Sequence, residues 1–311
     1  MRLLERQRTL NTIVSRCVSL LSTYSWIGKG VPYSMKIGKR VKIAAVVVIC
    51  VLFDIVLHLV TNAYSTMPEN PNYSIVAELL GTEITVSLWA LLAFSGAAYV
   101  YCRIRNVVPG EGVRKGVRYG SAIALIWLFA MLEGVSLFGN PIINEFVVGL
   151  SDAIPVFFMA ILLSLVTAEK GENIAVKPFT LRQKMAAVSI FTGIFLIGRY
   201  IAYFTGVIQS GYQTSPFYTF FWTLLMGACI GVVCMLLGNI GDTLSPGRRA
   251  AKFGFLIFGV SWATFLLFMP LLFSGYLIDV LSRIIIDTLL VTIGYYLTFS
   301  PGIGLTPELK T

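Results

Sequence analysis

Apolar residues run through this chain in long blocks rather than in the alternating or one-sided patterns of soluble strands and helices. A helix needs roughly 20 mostly apolar residues to cross about 30 Å of hydrocarbon. Eight blocks meet that length: 43–64, 76–101, 119–138, 147–167, 185–207, 216–238, 253–275 and 279–299. Only a short segment around Ser274 and Gly275 separates the last two. The pattern predicts an all-α fold, a polytopic membrane helix bundle of about eight transmembrane helices.

The polar stretches between the blocks carry basic charge on one side only. Arg2, Arg6, Arg8, Arg16, Lys29, Lys36, Lys39, Arg40 and Lys42 precede the first span. Arg103, Arg105, Arg114, Lys115 and Arg118 follow the second, Lys170, Lys177, Arg182 and Lys184 the fourth, and Arg248, Arg249 and Lys252 the sixth. The alternate loops, around 65–75, 139–146 and 208–215, have no Lys or Arg. Basic loops stay on the cytoplasmic side, so both termini are expected inside, in a multi-pass protein of the cell membrane. Residues 1–41 then form a basic cytoplasmic segment, 169–184 a cytoplasmic linker and 300–311 a cytoplasmic tail. Within the first segment, residues 1–34 read either as an amphipathic stretch on the membrane surface or as sequence upstream of a natural start at Met35.

Composition agrees. Of the 311 residues 57% are hydrophobic and only 13% charged, whereas a soluble domain is about 25% charged. That excludes an ordinary soluble enzyme, a disordered chain and a secreted disulfide scaffold. The net charge of +9 reflects the cytoplasmic loops and does not indicate a nucleic-acid partner. The five cysteines form no C-x-x-C pair, and neither a disulfide framework nor a metal knuckle is expected.

The chain repeats itself. Lys42-Ile-Ala-Ala-Val opens span 1 and Lys184-Met-Ala-Ala-Val opens span 5. Pro109-Gly110 before span 3 matches Pro246-Gly247 before span 7. One register then pairs Trp127 with Trp262, Leu132 with Leu267, Phe138 with Phe273, Asp152 with Asp287 and Val156 with Val291. The expected units are 42–168 and 185–299, two parallel four-helix repeats, since four spans return the chain to its starting side.

Ionisable residues inside the blocks are the candidate chemistry, because each costs at least about 2.5–3.5 kcal/mol to insert. They are Asp54 and His58 in span 1, Glu83 in span 2, Glu133 in span 3, Asp152 in span 4, Arg199 in span 5, and Arg283 and Asp287 in span 8. All fall in the middle or outer half once span direction is considered. Asp54 and His58 share a helix face, and the four-residue spacing of Arg283 and Asp287 predicts a pair. Asp54-His58 reads either as a hydrogen-bonded packing pair or as a proton relay or cation site. Glu78 and Glu145 are expected at the interface. Gly227-x-x-x-Gly231 and the series Gly112, Gly116, Gly120 predict close helix packing.

Asp54-x-x-x-His58 followed by Tyr64, with Gly116-Val117-Arg118-Tyr119-Gly120 opening span 3, resembles a group of small bacterial four-span membrane proteins of unknown function. The resemblance covers the first unit, with a degenerate echo in the second. It implies a tandem duplication of such a unit and supplies no activity.

No phosphate loop, dinucleotide fingerprint or Ser-His-Asp order is present. No cofactor or metal is expected: His58 is the only histidine, and a zinc site taking every other ligand from carboxylates is uncommon. The expected partners are the lipid bilayer, a small ion or solute, and in one arrangement a second copy of the chain. Three functions stand. One is a proton- or cation-coupled carrier or channel for a small solute using the intramembrane carboxylates and His58. Another is a non-transporting scaffold or accessory subunit. The third is a lipid-modifying enzyme using the same carboxylates on a substrate that enters from the outer leaflet near Glu83 and Glu133.

Overall fold

The structure, a computed structural model, describes residues 37–68, 71–168, 179–238 and 244–299. The expectations for residues 1–34, for the tail and for most of the linker lie outside them. The compact body of the chain begins at Gly38. Apart from one isolated bridge between Tyr73 and Phe273, the described residues contain no β-structure.

The helices are α1 (Ile37–Val60), α2 (Ile75–Leu80), α3 (Thr82–Ile104), α4 (Val113–Met131), α5 (Glu133–Leu137), α6 (Ile142–Thr167), α7 (Leu181–Phe204), α8 (Pro216–Leu237), α9 (Pro246–Ala251), α10 (Val260–Leu266), α11 (Phe268–Leu272) and α12 (Leu277–Thr298). A π-helical stretch, Lys252–Gly259, joins α9 to α10. Among the described residues, seven helices or helix runs are long and apolar enough to cross a membrane, the third being Val113–Leu137 and the seventh Pro246–Leu272. The chain is a multi-pass membrane protein. The eighth expected block forms α12, a 22-residue helix that carries Asp279, Arg283 and Asp287.

Local chemistry sets the ends. The Ser74 side chain accepts the Ala77 amide to start α2, and Thr180 with Gln183 forms a reciprocal capping box at α7. Pro216 and Pro246 sit in the first turns of α8 and α9, where a missing amide hydrogen costs nothing. Three expected spans are not continuous: the third breaks at Leu132, between α4 and α5. Gly81, at φ 84°, breaks the second into α2 and α3. The seventh is interrupted by the π stretch, which lays Gly254 and Gly259 against Thr292 and Thr288 of α12.

Close approach depends on small residues. A Cβ on Gly227 or Gly231 would lie 2.8 or 2.7 Å from the Cα of Thr192 or Val188 on α7. Gly116 and Gly120 press on Ala160 and Phe157 of α6 in the same way. Gly112 departs from that expected stripe: it caps α4 at φ 46° with no neighbour within 4 Å.

Tryptophans tie the two halves together. Trp89 donates to the Phe265 carbonyl (2.9 Å), Trp222 to the Phe129 carbonyl (2.7 Å) and Trp127 to Ser261 Oγ (3.3 Å), while Trp127 stacks on Phe265. On the side of the bundle bearing the loops without Lys or Arg, Ser74 Oγ donates to the Leu271 carbonyl and the Ser74 amide to that of Leu272. Of the seven spanning helices α1 and α7 are the least buried. On α1 only Val46, Val47, Cys50, Val51 and Asp54 are buried, a narrow stripe.

Candidate functional site

The intramembrane charges form two separate clusters. The first is a clasp around Arg199 of α7. Its guanidinium meets Asp287 of α12 edge-on, with Nε 2.6 Å from Oδ1 and Nη2 2.6 Å from Oδ2. Nη1 donates to Glu133 Oε1 (2.9 Å) and to Tyr203 Oη (3.4 Å). Trp262 Nε1 donates to the other side of Asp287 Oδ2 (2.9 Å). Arg283 completes the clasp by donating to Glu133 Oε1 and Asp279 Oδ2, each at 2.5 Å, and to the Gln209 carbonyl. Asp279 in turn accepts the Gln209 amide (2.5 Å). Arg199 is fully buried, and each of its nitrogens is engaged. The Phe195 and Trp222 rings face its Cζ at 5.3 and 5.0 Å. Bidentate pairing of this kind is strong and orientation-specific.

The clasp corrects the expected pairing within α12. Arg283 and Asp287 do not pair with each other. Helical side chains lean toward the N-terminus, so Arg283 reaches back to Asp279, and Asp287 is left for Arg199. Asp279 and Tyr203 had not been singled out from the sequence, and Trp262 only as the repeat partner of Trp127. Only Asp279 was signalled there, by its four-residue spacing before Arg283.

The second cluster joins α1 to α6. His58 Nε2 lies 3.1 Å from Asp152 Oδ1 and 3.9 Å from Asp54 Oδ1. Donor atoms of all three residues fall within 4.8 Å of one another. Asp54 is 2% exposed, and its Oδ1 has no hydrogen-bond partner. His58 sits in the last turn of α1 with its side chain 35% exposed. Next to the cluster, Thr61 Oγ1 and Ser151 Oγ share a hydrogen bond (3.0 Å), and Phe53 packs edge-on against Phe158. Both carboxylates are buried, and among the described residues one imidazole and no guanidinium or ammonium stands between them.

The chain matches no protein-family model, no curated protein and no solved structure. Its chemistry must be read from the two clusters.

The remaining expected residues sort as follows. Glu83 is exposed in the first turn of α3 and joins neither cluster. Glu78 is exposed, whereas Glu145, in the first turn of α6, is 2% exposed and accepts from Asn140 Nδ2 (2.6 Å). The absent side chain of Gly134 makes room for the Glu145 carboxylate. Glu133, grouped at first with Asp54 and His58, belongs to the Arg199 clasp. Arg105 and Lys115 are also buried, near the opposite end of the bundle, where Arg105 Nη1 donates to the Thr167 carbonyl (2.7 Å).

Proposed function

We propose that this membrane protein binds and carries a small cation at the Asp54–His58–Asp152 cluster, within eight spans arranged as two parallel four-helix repeats in the cell membrane with both termini inside. The observation that carries the cation reading is the unpartnered, buried Oδ1 of Asp54 beside a part-exposed His58. An ionisable group in a membrane that serves only as packing glue is paired and hydrogen-bonded; Asp54 Oδ1 has only the long 3.9 Å contact with His58 and no hydrogen bond. His58 stands two residues from the end of α1, so the cluster has an edge toward the loop side. Donor atoms within 4.8 Å suit an ion better than an organic solute, so the reading narrows from a solute to a cation.

The repeat is supported by two helix breaks. The third span is interrupted after Leu132 and the seventh after Leu267, with nearly the same backbone angles (φ −61°, ψ −12° and φ −61°, ψ −10°). Those positions match in the register that pairs Trp127 with Trp262 and Asp152 with Asp287. The cytoplasmic placement of both termini is supported by the distribution of Lys and Arg.

The Arg199 clasp supports the scaffold reading for its own part of the molecule. It is closed, and it links Glu133 of the first unit to Arg199 and Arg283 of the second. The enzyme reading loses its carboxylate pair, since Glu83 is exposed and Glu133 is held by two guanidinium groups.

The test is flux. The full chain, reconstituted in liposomes holding a proton-sensitive or a metal-sensitive dye, is given a gradient of protons or of a divalent cation. Dye response above that of empty liposomes, lost in Asp54→Asn, is expected. A folded wild type that moves neither ion would overturn carriage and leave a scaffold.

A further inference from the structure

Two carboxylates of the second cluster lack what the clasp provides. In the clasp, a fixed planar cation, Arg199, sits between Asp287 and Glu133 and bonds to both. In the register of the duplication Asp287 corresponds to Asp152, and both stand on the helix that follows the third or seventh span. Around Asp152 the place of the guanidinium is taken by His58 from α1. An imidazole nitrogen meets one acceptor at a time, and here it lies at hydrogen-bond distance from Asp152 alone. Asp54 Oδ1 remains buried, pointed at the same nitrogen from 3.9 Å, with nothing bonded to it. An exchangeable cation between Asp54 and Asp152 would supply what Arg199 supplies permanently in the other half.

We infer that Asp54, His58 and Asp152 bind a divalent transition-metal ion of the zinc or manganese class, an inference that rests on reading this cluster as a cation site. The spacing suits such an ion. Donors at about 2.0–2.2 Å from a tetrahedral zinc lie roughly 3.4 Å apart. The separations of 3.1 and 3.9 Å from His58 Nε2 fall on either side of that value, so small side-chain rotations complete the site. Two carboxylate oxygens and one imidazole nitrogen select among metals. Calcium takes six to eight oxygen ligands and magnesium an oxygen octahedron, while monovalent copper prefers sulfur. The nitrogen donor and the low ligand count favour zinc, with manganese next. Three protein ligands leave one coordination position open, as in sites that exchange or react rather than merely brace. The exposed edge of His58 puts that position toward the loop side. The neighbouring Thr61–Ser151 hydrogen bond holds α1 and α6 together beside the ligands. A bound ion would cross-link the same two helices.

The experiment uses the full chain in detergent, stripped with a chelator, desalted and titrated with zinc chloride and separately with manganese chloride. Calorimetry reads stoichiometry and affinity, and thermal unfolding reads the shift. One zinc per chain is expected, with a melting temperature that climbs as zinc is raised. Asp54→Asn, His58→Gln and Asp152→Asn should each weaken binding by about 100-fold or more. Glu83→Gln, an exposed carboxylate outside the cluster, should bind as wild type. His58→Gln, at a part-exposed position, keeps the test open should a buried aspartate variant fail to fold. No binding by the wild type, or stoichiometric binding that survives His58→Gln, overturns the inference. The flux assay separates this inference from the reading beneath it. Zinc bound at the cluster without flux refutes carriage and keeps the metal site. Proton flux that needs Asp54 in a chain that binds no metal refutes the metal site and keeps carriage.

Discussion

Arg199→Leu and Asp54→Asn should have opposite consequences, and the contrast tests the division between a closed clasp and an open site. Removing Arg199 leaves Asp287 with only the Trp262 indole and Glu133 with only Arg283. The Asp287 side chain is 0% exposed and that of Glu133 10%, so water cannot replace the lost partner. Breaking a buried ion pair from one side costs about 3–5 kcal/mol, because the remaining charge stays buried. The upper end is expected here, since one guanidinium serves two carboxylates. At roughly 2–4 °C per kcal/mol, the melting temperature should fall by roughly 10 °C or more. Asp54→Asn keeps the shape and removes a charge whose Oδ1 has no partner, so stability should stay within about 1 kcal/mol of wild type or rise, as at sites held for function. The assay is thermal unfolding in detergent, in chelator so that metal does not contribute. A companion variant checks the cause: adding Asp287→Asn to Arg199→Leu should recover part of the loss, since the penalty comes from the orphaned carboxylate. Equal destabilisation by Asp54→Asn and Arg199→Leu would refute the division. So would a neutral Arg199→Leu.

Other substitutions test the packing that carries the clusters. Gly227→Leu should cost about 1–3 kcal/mol, because its Cβ would already lie 2.8 Å from the Thr192 backbone; Gly193→Ala, with open space around it, should be neutral or stabilising by up to about 1 kcal/mol, both read as melting temperatures. Gly134→Ala should drive the Glu145 carboxylate from its place and destabilise by about 2 kcal/mol, and Glu145→Ala in the same chain should return part of that loss, a coupling measured by a double-mutant cycle. Ser74→Ala removes the cap of α2 and the bond to the Leu271 carbonyl, and should cost about 1–2 kcal/mol in thermal unfolding.

Much of the architecture was legible because hydrocarbon imposes a strict length. Spans 4 and 6, expected at 147–167 and 216–238, became Ile142–Thr167 and Pro216–Leu237. The interruptions were less legible, since an apolar block reads the same whether or not Gly81 takes a positive φ or Gly254 and Gly259 permit a π turn. For the polar residues, depth could be read but partners could not. His58 and Asp152 are 94 positions apart, Arg199 and Asp287 88, and Glu133 and Arg283 150. Such pairs depend on which helices are neighbours, and a single sequence does not encode that in any local pattern. Of the two pairs that were locally readable, Asp54 and His58 do approach each other, at 3.9 Å, but the partner of Arg283 was assigned in the wrong direction. Both Asp279 and Asp287 stand four residues from Arg283, and the lean of helical side chains, which favours the earlier one, decides between them. No metal was expected because His58 is the only histidine and carboxylate-rich zinc sites are uncommon; that Asp152 of α6 stands beside Asp54 and His58 is a matter of helix neighbours.

The two clusters are best understood against each other. Each has an aspartate on the helix after a broken span, Asp152 on α6 or Asp287 on α12, and each meets a nitrogen base, His58 of α1 or Arg199 of α7. Replacing the histidine with arginine makes the cation permanent, and the carboxylates then have no reason to exchange it. The arginine half gains Glu133 from the other unit and closes. The histidine half gains a second carboxylate, Asp54, from its own helix and stays short of positive charge. A cluster of that kind depends on what occupies it, and the helix that bears it has little else to hold it. The buried stripe of α1 is narrow, and its polar ties to α6 lie in the cluster and the Thr61–Ser151 bond. On the metal proposal, binding energy at Asp54, His58 and Asp152 therefore acts on the attachment of α1 to α6. The same energy does little to the halves as a whole, which the tryptophan contacts and the Arg199 clasp already join.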